Sequence, residues 1–215
     1  MSNAPRKGRE PLVLTRRRAL TLLSASPFAS IVSASAAAGR TPTATEGPFY
    51  PTPRMRFTDA DNDLVKIADI VEEAGGEVIV LKGRVRNRAG QPVVGARVEI
   101  WQCDANGRYL HTGDRSGSVA RDPSFQGFGH VVTEADGAYA FRTIKPVPYP
   151  GRTLHIHVKV IHRGRELTTQ FYIAGHKQNA GDWLFQRMSP KDQRSVSMVF
   201  ANAADGLETS VDIVL

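Results

Sequence analysis

Val78-Ile79-Val80-Leu81-Lys82-Gly83-Arg84-Val85 and Val93-Val94-Gly95-Ala96-Arg97-Val98-Glu99-Ile100-Trp101 are two runs rich in branched residues, separated by the turn-forming cluster Asn87-Arg88-Ala89-Gly90-Gln91-Pro92. Branched side chains fit a pleated, half-buried surface, and Asn, Gly and Pro between such runs break them, so the stretch reads as strand, turn, strand. The same text recurs downstream. Residues 138–143 follow the turn Asp136-Gly137, and residues 154–161, 167–173, 196–200 and 209–214 are further short branched runs. Seven strands with no convincing amphipathic helix between them predict an all-β fold, an antiparallel β-sandwich. Two long irregular stretches, 103–129 and 174–194, are unusual for a sandwich, and loops of that size more often carry function than idle.

Upstream of the first strand, residues 39–76 contain Pro42, Pro48, Pro51 and Pro53 with little periodicity beyond a helical turn near 64–71, and read as an irregular N-terminal arm packed on the domain. Its acidic run Asp59-Ala60-Asp61-Asn62-Asp63 lacks the spaced ligand set and closing Glu of a calcium loop and reads as a solvated turn. Residues 1–38 are a signal peptide by pattern. Arg16-Arg17-Arg18 precedes a modestly apolar run to Val32, interrupted by Ser24, Ser26, Pro27 and Ser30, and small residues follow from Ser33 to Ala38. Such a run is too short and polar for a stable membrane span, and the arginines resemble a twin-arginine signal, which exports folded proteins. The expected location is therefore periplasmic or secreted, with residues 77–215 as the β-sandwich domain.

Charge narrows the function. The 215 residues are 41% hydrophobic and 23% charged, a composition suited to one globular domain, and carry a formal net charge of +7. Residues 1–38 hold six of the 28 bases and one of the 21 acids, which leaves 22 and 20 for the remainder, a surplus of only +2. A large nucleic-acid surface needs a concentrated basic excess, so no nucleic-acid partner is expected. The single Cys103 excludes intrachain disulfides and multi-cysteine metal sites, and reads as a small buried hydrophobe.

In Leu154-His155-Ile156-His157-Val158-Lys159-Val160, a period of two sends Leu154, Ile156, Val158 and Val160 to one face and His155, His157 and Lys159 to the other. Two imidazoles side by side suit one metal ion, although the same pattern also describes two solvated histidines on an exposed face. Tyr149, in Pro146-Val147-Pro148-Tyr149-Pro150, is held between prolines, and Tyr109 lies in Gly107-Arg108-Tyr109-Leu110-His111. Fe(III) favours oxygen donors and lowers a phenol pKa. Two tyrosinates and two neutral histidines would leave it a net +1. His111, His130 and His162 read as surface or loop residues, Tyr139 as core packing, and Tyr50 as packing near the pocket mouth.

The ordered combination of Leu81-Lys82-Gly83-Arg84-Val85, Gly90-Gln91-Pro92-Val93-Val94-Gly95-Ala96, Gly107-Arg108-Tyr109, Asp136-Gly137-Ala138-Tyr139-Ala140-Phe141, Pro148-Tyr149-Pro150, His155-Ile156-His157 and Thr169-Gln170-Phe171-Tyr172 resembles the intradiol ring-cleavage dioxygenases over roughly residues 45–175. The resemblance implies a non-haem Fe(III) held by Tyr109, Tyr149, His155 and His157. It implies that Arg152 and Gln170 serve catalysis, with Arg152 stabilising charge on the ring and Gln170 orienting it. Tyr149 is implied as the ligand displaced when a catechol chelates the iron and gives up a proton. The expected substrates are a small aromatic diol and O₂, cleaved between the two oxygenated carbons to a cis,cis-muconate-type diacid. The first half of the pattern is also similar to non-catalytic transthyretin-like and carboxypeptidase-regulatory sandwiches, which lack the ordered Pro-Tyr-Pro, His-x-His and Thr-Gln.

Departures from the family bear on substrate. Only two residues separate Tyr149 from Arg152, so the insertion and the aromatic residue before Arg found in many members are missing. The helical N-terminal region of catechol 1,2-dioxygenases is absent, which brings the chain nearer to protocatechuate 3,4-dioxygenase β-type chains. His176 stands after Gly175 where the family often has Asp. The sequence leaves open the choice among catechol, protocatechuate and hydroxyquinol, a second subunit type, and a homo-oligomer.

Overall fold

The structure, a computed structural model, describes residues 38–70, 72–115, 118–149, 151–204 and 206–215. The expected signal peptide lies outside them, apart from Ala38. Among these residues ten strands form two five-stranded sheets. In the first, β1 (Val78–Arg86) is paired on one edge with β4 (Ala138–Ile144) and on the other with β9 (Gly206–Ser210) and then β10 (Ile213–Val214), while β8 (Phe200–Ala203) pairs with β9. The second runs β3 (Phe128–Val132), β2 (Arg97–Trp101), β5 (His155–His162), β6 (Arg165–Ile173), β7 (Ser197–Met198).

The alternation in β1 decides its facing: Ile79, Leu81 and Val85 are buried while Lys82 and Arg84 are exposed. They meet Ile100, Ile156, Val158, Val160 and Phe171 of the second sheet in one apolar core. Gly83 lies in the same strand because nothing larger fits: a Cβ there would come 1.9 Å from the Val211 carbonyl oxygen, which also accepts the hydroxyl of buried Tyr139. Tyr139 is core packing, as expected, with its polar end anchored.

The sandwich matches the sequence reading, with four corrections. The sheets are mixed rather than antiparallel throughout, because β1 pairs parallel with β9 and β10, and β6 with β7. Strand β3 was hidden at the end of a stretch read as irregular, where Gly127 and Gly129 interrupt the branched pattern. Residues 174–194 carry short helices: a 3-10 turn at Lys177–Gly181, then α1 (Trp183–Gln186) and α2 (Pro190–Ser195), whose N-termini are capped by the side chains of Asp182 and Ser189. No helix forms at residues 64–70, although Leu64, Val65 and Ile67 are buried there. Among the described residues no helix is long and apolar enough to cross a membrane.

The arm is tied to both sheets. Thr41 N donates to Val214 O at 3.0 Å, Val214 N donates back to Thr41 Oγ1 at 2.8 Å, and Ala44 N donates to Thr168 O at 2.8 Å. Its aspartates cap turns: Asp63 Oδ1 accepts from Val65 N at 3.0 Å, and Asp61 Oδ1 accepts from Asp63 N at 2.8 Å. These oxygens serve the backbone, in keeping with a turn.

Candidate metal centre

Register places the site. In β5, His157 lies opposite Trp101 of β2 on one side and Gln170 of β6 on the other, and His155 lies opposite Tyr172. Cross-strand neighbours on one face are within side-chain reach, and the Trp101 indole stacks on His157 with ring centroids 4.7 Å apart and planes at 12°. The face carrying the histidines is sealed: His155 is 3% and His157 4% exposed. This overturns the alternative of a solvated pair. The arm supplies the cover, with Glu46 paired to Lys159, Tyr50 Oη donating to Glu99 at 2.6 Å, and the Lys159 ammonium 4.2 Å from the Tyr50 ring.

Three donor atoms converge. His155 Nε2 and His157 Nε2 are 3.1 Å apart, and Tyr109 Oη is 3.2 Å from His157 Nε2. Tyr149 closes the ring of aromatics, its centroid 5.4 Å from that of Tyr109 and 5.9 Å from that of His155. Phe49 of the arm packs on both phenols, at 5.1 Å from Tyr109 and 6.4 Å from Tyr149. Positive φ at Gly47, 75°, lets the arm pass close over the site, where a Cβ would lie 3.4 Å from His157 Cε1.

The protonation states suit metal binding. His155 Nδ1 lies 2.6 Å from Thr153 O, so it carries the proton and leaves Nε2 a free lone pair. Burial, with Arg152 nearby, lowers His155 to about 4, and burial followed by His155 and Arg152 holds His157 well below its ordinary value. Both imidazoles are therefore neutral. Burial also raises the phenol of Tyr109 well above 10.0 and that of Tyr149 to a lesser degree, with Arg152 opposing the rise. A buried phenolate then needs a cation to stabilise it. Among the described residues no group of three His, Cys, Asp or Glu forms around the pair, so oxygen donors for a metal here come from the tyrosines. Two neutral nitrogens and two phenols that ionise only beside a strong Lewis acid fit a ferric ion.

Arg152 and Gln170 meet beside the histidines. Arg152 Nη2 donates to Gln170 Oε1 at 2.7 Å, Tyr172 Oη donates to the same oxygen at 2.8 Å, and Gln170 Nε2 donates to Thr45 O at 3.0 Å and faces His157 Nδ1 at 3.4 Å. Sequence reading missed the partner that holds Arg152. Asp182 Oδ2 accepts from Arg152 Nε at 2.7 Å and from Thr153 N at 2.9 Å, while Oδ1 caps α1 through Phe185 N at 3.0 Å. Burial pushes the Asp182 carboxyl up, but these donors outweigh it and hold it below its ordinary value. Asp182 preceding Trp183-Leu184-Phe185 is the local signal of a helix cap, but nothing local points to its pairing with a residue thirty positions earlier.

Beside Tyr149 and Arg152 a cavity of about 670 Å³ opens, lined also by Lys177, Gln178 and Asp182. Its size suits a substituted aromatic ring. His176 caps the Lys177–Gly181 turn, its Nδ1 accepting from Gln178 N at 3.3 Å. Cys103 is buried and its thiol is pushed up to about 12, chiefly by desolvation, which makes it inert. Half-buried His111 stays in a loop, and half-buried His162 ends β5. His130 departs from the expected surface or loop place, sitting half-buried in β3, where Gly129 and Gly127 had obscured the strand.

A family profile described as Dioxygenase matches residues 45–215. The chain is 42% identical over 135 residues to the protocatechuate 3,4-dioxygenase beta chain of Burkholderia cepacia, covering 59% of this chain and 57% of that protein. It is 34% identical over 156 residues to catechol 1,2-dioxygenase 1 of Acinetobacter lwoffii, covering 64% and 47%. The chain thus spans about half the length of these curated relatives. Among solved structures, the dioxygenase domain of a dioxygenase carbohydrate-binding protein fusion from Streptomyces sp. SirexAA-E matches with a TM-score of 0.64 at 35% identity, covering 82% of this chain and 98% of that one.

Proposed function

This chain belongs to the intradiol dioxygenase family, and from that premise we propose that it cleaves a catechol-type ring with O₂ between the two hydroxylated carbons, giving a cis,cis-muconate-type diacid. The observation that carries the reading is the convergence of His155 Nε2, His157 Nε2 and Tyr109 Oη within 3.2 Å, with Tyr149 beside them. These four side chains would hold a non-haem ferric ion, which when bound withdraws electron density from the diol and makes its ring reactive toward O₂.

The chain's own residues supply the rest. Tyr149 is half-buried and faces the cavity, so its phenolate would be the one free to swing away and take up the proton that a catechol hydroxyl must lose, becoming a neutral phenol. Tyr109, fully buried and pressed by Phe49, stays in place. Arg152 is a fixed positive charge at the cavity wall. Gln170 and Asp182 grip its guanidinium from two sides, so it is oriented before substrate arrives and stabilises negative charge developing on the ring without reorganising. The arm and Trp101 exclude water from the histidine side. Residues 1–38 would send the folded chain across the cytoplasmic membrane as a twin-arginine-type signal, before their removal.

The test is metal analysis of the purified protein, followed by oxygen uptake with catechol, protocatechuate and hydroxyquinol in turn. The expected result is about one iron per chain, a tyrosinate charge-transfer colour, and uptake with at least one diol. A colourless protein that stays inactive after ferric reconstitution refutes the reading.

A further inference from the structure

At the far end of the sandwich a second cavity, of about 980 Å³, is lined by Arg40 of the arm, Arg88 of the turn after β1, and His162, Arg163, Arg165 and Glu166 of the β5–β6 hairpin. Strand geometry puts it well away from the metal centre, since His155 and His162 stand at opposite ends of β5, about 23 Å apart at 3.3 Å per residue. The fold brings these residues together deliberately. Thr41 N donates to Val214 O and Leu215 N donates to Arg86 O, which brings Arg40 beside the turn after β1, and the hairpin reverses through Arg163 and Gly164, with φ of 49° and 73°. Arg163 thus occupies a left-handed position that favours Asn or Gly, so an arginine is kept there at a conformational cost.

None of the four guanidinium groups meets a carboxylate or other side-chain or backbone acceptor among the described residues. Glu166 is the single acidic side chain of the lining, which Leu215 also joins, and it lies 3.9 Å from Lys159 instead. Three other arginines of this fold do meet carboxylates: Arg84 with Asp136, Arg86 with Asp212, Arg142 with Asp63 and Glu73. Four like charges around one concavity repel one another, and each presents a planar fork of donors matched to oxyanions. We propose that this cavity binds a multiply charged phosphate-type oxyanion, at a site separate from the metal centre.

Isothermal titration of the full chain with inorganic pyrophosphate at low salt tests the site. The expected result is saturable binding of about one per chain, weakened progressively by added NaCl. Arg163→Ala with Arg165→Ala, and independently Arg40→Ala with Arg88→Ala, each weaken it at least tenfold. Arg84→Ala, an exposed arginine already paired, leaves it unchanged, and oxygen uptake with the diol stays as in the wild type. Co-sedimentation with phosphatidylglycerol vesicles separates the sources. Sedimentation competed by pyrophosphate assigns the site to a lipid headgroup, whereas pyrophosphate binding without sedimentation assigns it to a free phosphate compound. Absence of pyrophosphate binding, or binding unchanged in both double variants, overturns the proposal.

Discussion

Beside the buried stretch of β5 two cations each have an anion, Arg152 with Asp182 and Lys159 with Glu46, whereas past its last residue Arg163 and Arg165 have none. The difference follows from water. Arg152 and Lys159 are nearly buried, and a buried charge is tolerable only when paired and hydrogen-bonded. At the hairpin end solvent screens the charges, so they can be left unpartnered and available. A near-neutral body therefore conceals two opposite electrostatic designs, one in which charge is fixed in place around the metal centre and one in which it is kept free.

The strongest way to break the comparison is to remove the same residue type from both ends. His155→Ala and His157→Ala should each retain less than a tenth of the wild-type iron, because each removes one of only two nitrogen donors. His162→Ala should retain all of it. Metal analysis after identical purification decides this, and equal loss in the three variants would erase the distinction between the ends.

Next in size is the fixed cation. Arg152→Ala should keep its iron, its colour and the spectral shift on catechol binding, yet lose on the order of 10² to 10³ in kcat, or roughly 3–4 kcal/mol, as removal of a preorganised electrostatic partner does. A kcat within about threefold of wild type, under about 1 kcal/mol, reduces Arg152 to a wall residue.

The smallest effect is on stability. Asp182→Asn leaves Arg152 buried beside a neutral group and should cost about 1–3 kcal/mol at neutral pH. Because the folded carboxyl titrates below its ordinary 3.8, its contribution is present above that value and is lost as pH falls through the folded pKa. Urea midpoints for the two proteins should therefore differ at pH 7 and approach each other on acidification toward pH 2. A gap that stays constant with pH would mean that the ion pair is not what the substitution removed.

How much of this was written in the sequence depends on the range of the interaction. Strand β5 and its facing histidines were legible because a period of two is local, and the same period drew β1 and β4 correctly. Strand β3 was not, since Gly127 and Gly129 carry no side chain to mark a face. The parallel pairings of β1 with β9 and β10 join residues more than a hundred positions apart and leave no local trace. The candidate ligands stood out by their order along the chain, but what grips Arg152 did not: Asp182 looks like an ordinary helix cap until α1 is folded against Thr153.

The arm that walls the metal centre has a consequence for how the protein is made. Thr41, Ala44 and Thr45 leave the ribosome early, yet their partners Val214, Thr168 and Gln170 emerge late, Val214 lying 173 positions after Thr41. Contacts of such long sequence separation form slowly, after large loops have closed. During synthesis the nascent chain therefore holds Tyr109, His155 and His157 without their cover. A metal ion taken up by this site would find an open entrance while translation is finishing, and docking of the early-made arm onto the late-made strands would shut it.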